Sequence, residues 1–116
     1  MHELTIAQNM VEIIEEELKN REQLDKKVME VNFIAGRLNA VVPESLKYNF
    51  DHLKQDKDYL KDAELIIKET PIVIRCNNCH EETTIDEPIF RCQKCNSGDI
   101  EVISGKRMYI ESLEIE

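Results

Sequence analysis

Four cysteines form two CxxC motifs, and a spacer of twelve residues separates the motifs. They are Cys76, Cys79, Cys92 and Cys95. A CxxC turn directs two sulfurs to one point, and Zn²⁺ accepts four thiolates in a tetrahedral arrangement. The spacing therefore predicts a structural zinc site in which no coordination position is left open for a substrate.

Three other interpretations of the cysteines stay open at this stage: a redox dithiol, a pair of disulfides and an iron site of the rubredoxin kind. The sequence shows no secretion signal, so we expect a cytoplasmic protein in which a reducing environment favours thiolates over disulfides. Spacing alone does not exclude iron. His80 follows Cys79 directly and is either a substitute ligand, a hydrogen-bond donor to a thiolate or, as is commoner for a surface histidine, a solvated side chain.

A second candidate metal site lies at the start of the chain, where His2 follows Met1 and precedes Glu3. If the amides of His2 and Glu3 lose their protons, the Met1 amine, the two amide nitrogens and the imidazole provide four nitrogens in a plane. That arrangement suits Ni(II) or Cu(II), and the Glu3 carboxylate adds a further ligand or a hydrogen bond. From the residues alone, the alternative is an exposed terminal histidine without a metal.

The elements that must position these residues follow from hydrophobic periodicity. From Thr5 onward, apolar residues recur at steps of three and four, which predicts an amphipathic helix. Thr5 and Gln8 have the spacing of a capping box, so the helix is expected to begin there. Alternation from Val28 to Ala35 predicts a strand that ends at Gly36.

A second helix is expected to begin at Pro43, which suits a first helical turn, and to end near Gln55. Alternating residues 63–68 predict a second strand closed by Pro71, and residues 108–115 predict a third. The cysteine segment falls between the last two strands. We therefore expect an α+β core with an inserted metal-binding domain at residues 72–104, the core comprising residues 1–71 and 105–116.

The charge balance limits the kinds of partner. The chain has 24 acidic and 15 basic residues and a formal net charge of −9, so the basic surface expected of a nucleic-acid-binding protein is missing. No window approaches the roughly 18 apolar residues of a membrane span. We expect neither nucleic acid nor a membrane as a partner.

Taken together, these residues resemble a known family, the HypA/HybF nickel-insertion proteins that serve maturation of nickel-iron hydrogenase. The resemblance is carried by the start MHELT, by GRLN at 36–39 followed by VPESL at 42–46, by the paired CxxC motifs and by the final SLEIE. It covers essentially the whole chain.

The resemblance implies two helices on a three-stranded sheet with an inserted zinc ribbon. It implies that His2 is the essential nickel ligand, joined by the Met1 amine and the backbone nitrogens of His2 and Glu3. Zn(II) would be structural and Ni(II) a transient cargo. The family's partners are a HypB-type nickel-binding GTPase, the hydrogenase large subunit and, in some organisms, urease maturation proteins.

The function expected from the sequence is therefore that of a nickel metallochaperone, which is not an enzyme. The alternative from another class is a zinc-ribbon adaptor that binds a protein or nucleic acid and ignores nickel, although the negative charge argues against nucleic acid. A third alternative, a redox or iron electron-transfer protein, predicts visible absorbance from bound iron.

Overall fold

The structure is a computed structural model, and it describes residues 2–116. In order, its elements are α1 (Glu3–Asn20), β1 (Val28–Gly36), α2 (Pro43–Leu53), β2 (Glu64–Thr70), β3 (Ile72–Cys76), β4 (Glu82–Ile85), β5 (Ile100–Ser104) and β6 (Met108–Ile115), with 3-10 turns at Arg37–Asn39 and Lys54–Asp56. The α+β class predicted from the sequence is confirmed. Within the described residues, neither helix is long and apolar enough to cross a lipid bilayer.

The strands form two three-stranded sheets, with the orders β2-β1-β6 and β4-β3-β5. The first sheet joins the three strands that the sequence predicted, because the alternation of apolar residues in each provides one face to bury. In the second sheet β3 is central and pairs antiparallel with both neighbours. Ile72 lies opposite Ile85, and the pairing with β5 shifts register between Val73 and Ile74.

Helix α1 begins earlier than the capping pattern predicted. The Ile6 N–H donates to the His2 carbonyl at 3.2 Å, so His2 is the N-cap, and it makes no side-chain capping bond. Thr5 lies inside the first turn and lacks the extended backbone that a capping residue needs. The buried face is the predicted one, formed by Ile6, Ala7, Met10, Val11, Ile14 and Leu18.

Helix α2 begins at Pro43, as predicted, and buries Leu46 and Phe50. It ends at Leu53, two residues before the predicted end, and a 3-10 turn continues the chain. In that turn, the Lys54 ammonium donates to the Ala63 carbonyl at 2.6 Å, which ties the end of the helix to the start of the next strand.

The chain divides into two compact units. The first comprises the residues up to Phe33 together with Val41–Ile67 and Ile110–Glu116, and it contains both helices. The second comprises Ile34–Ala40 and Lys68–Tyr109, and it contains the cysteines. The division at residues 71 and 105 that the sequence predicts stays a prediction.

The sheet of the second unit has a small apolar core. Ile72, Ile74 and Ile85 are buried there, and Ile100 and Val102 pack against them. Segments shorter than about 40 residues seldom fold on burial of this extent alone and usually require a metal or a disulfide. The apolar core alone is therefore too small to stabilise this sheet, and we expect the cysteines to contribute to its stability.

Candidate metal centres

The four cysteine sulfurs lie within 4.8 Å of one another. The Sγ atoms of Cys76 and Cys95 are 3.5 Å apart, and those of Cys79 and Cys92 are 3.6 Å apart. A tetrahedral zinc ion with Zn–S bonds of about 2.3 Å would hold its sulfurs about 3.8 Å apart. All four cysteines are free thiols, so the donor set and its spacing fit a divalent metal ion.

Both cysteine turns close with the same hydrogen bond. The Cys76 N–H donates to the Glu81 carbonyl at 2.9 Å, and the Cys92 N–H donates to the Ser97 carbonyl at 2.9 Å. In each case the acceptor lies five residues after the first cysteine of the motif. The two CxxC motifs are therefore folded into the same local structure, and each directs both of its sulfurs inward.

The fifth residue of each turn has a left-handed backbone, with φ of 65° at His80 and 63° at Asn96. The His80 N–H donates to the Cys76 carbonyl at 3.0 Å, and the Asn96 N–H donates to the Cys92 carbonyl at 2.9 Å. The His80 side chain is exposed and does not belong to the cluster of four ligand atoms. His80 therefore stabilises the turn through its backbone and not through its imidazole.

Backbone N–H groups point at the first sulfur of each motif. The Cys76 sulfur accepts from Asn78 at 3.3 Å and from Cys79 at 3.4 Å, and the Cys92 sulfur accepts from Cys95 at 3.5 Å. The Cys79 N–H lowers the pKa of Cys76 below its usual range. The Cys95 N–H is the main cause that lowers the pKa of Cys92 to about 6. These donors favour thiolate, the form of cysteine that binds metals.

Cys79 shows the opposite tendency. A hydrogen bond from the Glu81 backbone lowers its pKa, but burial and the thiol contacts with Cys92, Cys76 and Cys95 outweigh that bond and raise the pKa to about 12. Sulfurs this close together resist ionising at the same time. The cluster therefore retains protons unless a cation neutralises the thiolates.

Two asparagines that sequence reasoning did not identify support the cluster. The Asn77 N–H donates to the Asp99 carbonyl at 2.9 Å, and its side-chain amide donates to the Asp99 carboxylate at 3.1 Å. The Asn78 amide donates to the Cys95 sulfur at 3.8 Å. The only signal in the sequence was that both middle positions of the first CxxC motif are asparagine.

The N-terminal candidate site coincides with the start of α1. His2 is exposed at the N-cap, and Glu3 is half-buried in the first turn; a carboxylate there interacts favourably with the positive end of the helix dipole. Met1, the third predicted nickel ligand, lies outside the described residues. His52 is exposed in the last turn of α2, as expected of a solvated histidine.

This is an α+β protein in which four free thiols converge to a cluster that could hold a metal ion. The family model described as "Hydrogenase/urease nickel incorporation, metallochaperone, hypA" matches residues 1–115. The chain therefore belongs to the HypA family, and the family predicted from the motifs is confirmed. Its members are metallochaperones that incorporate nickel during hydrogenase maturation.

Curated relatives share the whole length of the chain. Hydrogenase maturation factor HypA of Desulfatibacillum aliphaticivorans is 40% identical over 115 residues, which is 99% of this chain and 87% of that protein. Hydrogenase maturation factor HypA of Desulfosudis oleivorans is 39% identical over 116 residues, which is 100% of this chain and 99% of that protein.

Solved structures support the fold. The solution structure of the Ni metallochaperone HypA from Helicobacter pylori matches with a TM-score of 0.70 and 23% identity, covering 99% of this chain and 97% of that one. A second solution structure of a HypA protein matches with a TM-score of 0.73 and 23% identity, covering 100% and 97%. At this identity the likeness concerns the fold alone.

Proposed function

We propose that this protein binds Ni(II) at its amino terminus through His2 and delivers the ion for maturation of nickel-iron hydrogenase. The observation that carries the proposal is the position of His2 as the exposed N-cap of α1 in a chain of a nickel-incorporation family. An imidazole there is accessible to solvent and to a partner, and the helix that follows limits the freedom of its backbone.

The proposed ligands are the Met1 amine, the amide nitrogens of His2 and Glu3, and the His2 imidazole. The first helical hydrogen bond runs from the Ile6 N–H to the His2 carbonyl, so the helix is built without the amides of residues 2 and 3. Deprotonating these two amides would thus cost no helical hydrogen bond. Their two negative charges would also offset the charge of Ni(II), which the positive end of the helix dipole otherwise disfavours.

We further propose that the four cysteines hold Zn(II) in a structural site. The support is the fit of the sulfur distances to a tetrahedral thiolate set and the small core of the surrounding sheet. Bound zinc would supply folding free energy to residues 72–104, which we propose as a zinc ribbon inserted between residues 1–71 and 105–116 of a nickel-binding domain. Thiolate ligands stay reduced in the cytoplasm, where we place the protein.

Nickel transfer by ligand exchange breaks no bond in an organic substrate, so we assign the protein no catalytic role. Its proposed partners are a HypB-type nickel-binding GTPase, the hydrogenase large subunit and the urease maturation proteins. Incoming ligands from a partner can displace the nitrogens of an exposed terminal site one at a time, which suits delivery better than permanent binding.

Delivery is tested by mixing the nickel-loaded protein with purified, metal-free hydrogenase large subunit and measuring the nickel on the re-isolated subunit. We expect transfer from the wild type and from a His52→Ala control, and only the level given by free nickel from His2→Ala. Equal loading by all three proteins would refute delivery from the terminus and favour the zinc-ribbon adaptor that ignores nickel.

A further inference from the structure

A groove in the first unit separates α1 from the final strand β6. Its volume is about 300 Å³, and Ile13 and Leu18 line it from the helix while Ile110 and Leu113 line it from the strand. Ile13 is 54% exposed. Burying an apolar side chain from water favours association, so the groove offers apolar surface to a binding partner.

The groove follows an open sheet edge. Among the described residues, β6 has a hydrogen-bonded neighbour on one side only, because it ends the order β2-β1-β6. Side chains alternate between the two faces of a strand, yet four consecutive residues, 110–113, all line the groove. The groove therefore runs along the edge of β6 and gives access to backbone groups that an added strand can pair with.

The charge around the groove is negative. Glu17 and Glu111 line it, and the one arginine that lines it, Arg21, is paired with Glu17 at 2.6 Å. Of the two glutamates of β6, Glu111 lines the groove and Glu114 does not, and the strand has no basic residue. A basic segment is therefore complementary to this surface, whereas an acidic one is repelled.

We propose that this groove binds an extended segment of a partner protein in which basic and apolar residues alternate, and that the segment pairs with the free edge of β6. Alternate apolar side chains would enter the groove between Ile13 and Leu113, and the basic ones, on the opposite face of the added strand, would lie near the glutamates of β6. A second copy of this chain fits less well, because pairing β6 with itself would bring its glutamates together. The proposal is independent of nickel.

The test uses the full chain and labelled peptides of about ten residues, the length of a long strand. The first peptide alternates lysine and valine, the second replaces lysine with glutamate, and the third keeps the lysines but is N-methylated at the amides of one edge. We expect saturable one-to-one binding of the first peptide only. Hydrogen exchange should slow at the amides of residues 110–113 in that complex.

Matched variants locate the binding. Ile13→Lys and Glu111→Lys should each weaken binding of the first peptide by about tenfold, since each removes one apolar or one charged contact. Met29→Lys is the control for the first variant, because Met29 is 44% exposed and does not line the groove. Glu69→Lys is the control for the second, and neither control should change the affinity.

Three results would overturn the proposal. The first is no saturable binding of the lysine–valine peptide. The second is equal binding of the N-methylated peptide, which would indicate attraction between opposite charges without strand pairing. The third is a dimer, detected by sedimentation, in which the same amides of β6 become protected, since this would assign the groove to a second copy of the chain.

Discussion

His80 and Asn96 occupy equivalent positions in the two cysteine turns. Each has a left-handed backbone, with φ of 65° and 63°, and each donates its N–H to the carbonyl of the cysteine four residues before it, at 3.0 and 2.9 Å. Asparagine adopts this conformation more readily than histidine does, because its short polar side chain can hydrogen-bond to the local backbone. His80 is thus the less suitable of two residues that perform the same backbone task.

His80→Asn should therefore keep the fold and raise the free energy of unfolding, by up to about 1 kcal/mol. The metal content should stay unchanged, because the His80 side chain is not one of the clustered ligands. Thermal unfolding and elemental analysis measure the two quantities. His52→Asn, at an exposed helical position, is the control, and loss of metal from His80→Asn alone would mean that the imidazole is a ligand.

Gly36→Ala should destabilise the second unit. A Cβ at residue 36 would overlap the Gly105 carbonyl, and the Gly36 N–H donates to the Arg107 carbonyl at 2.8 Å, so the backbone cannot move away without losing that bond. We expect a loss of about 2 kcal/mol or more in denaturant unfolding. Gly98→Ala is the control, because a Cβ there meets nothing within 4 Å; equal stability of the two variants would contradict the close contact.

The sequence predicted the periodic elements well and the local backbone less well. β1 ends at Gly36 and α2 begins at Pro43, as predicted, because burial of an apolar face and a proline in the first turn act locally. The predicted start of α1 was wrong, since the capping pattern at Thr5 competes with a helical hydrogen bond from the Ile6 N–H to the His2 carbonyl. A capping motif alone does not show which of the two backbone conformations is more stable.

At the candidate site, too, the local features were predicted from the sequence and the long-range contacts were not. The spacing of the CxxC motifs was enough to predict that four sulfurs converge, because each turn is a local structure. The bonds of Asn77 to Asp99 and the contact between Gly36 and Gly105 join residues far apart in the chain. Their partners depend on how the strands pair, which periodicity does not determine.

If the four cysteines hold zinc as proposed, removing the ion should unfold the sheet of β3, β4 and β5 and leave the helices. Zinc bound by four thiolates contributes roughly 10 kcal/mol or more to folding, and that sheet buries only three apolar residues in its core. After treatment with a strong chelator, amide protection should be lost in residues 72–104 and kept in α1, where six residues form a buried face. Adding zinc back should restore protection, and a sheet that stays protected without metal would contradict the structural role.

Nickel affinity should rise steeply with pH. If both amide nitrogens bind the metal, each bound ion releases two amide protons, and linkage then gives about a hundredfold gain in affinity for each pH unit. The slope is best measured by competition titration above about pH 9, where a terminal amine is largely uncharged. A nearly flat dependence in that range would mean that the amides of His2 and Glu3 are not ligands.

The proposed nickel site requires the imidazole of His2 to act together with the amine of Met1. The most direct measurement is a calorimetric Ni(II) titration of zinc-loaded protein with an untagged start, compared with His2→Ala and with His52→Ala. We expect one equivalent bound tightly by the wild type and by His52→Ala, and an affinity at least about a hundredfold weaker for His2→Ala. Undiminished nickel binding by His2→Ala would contradict it.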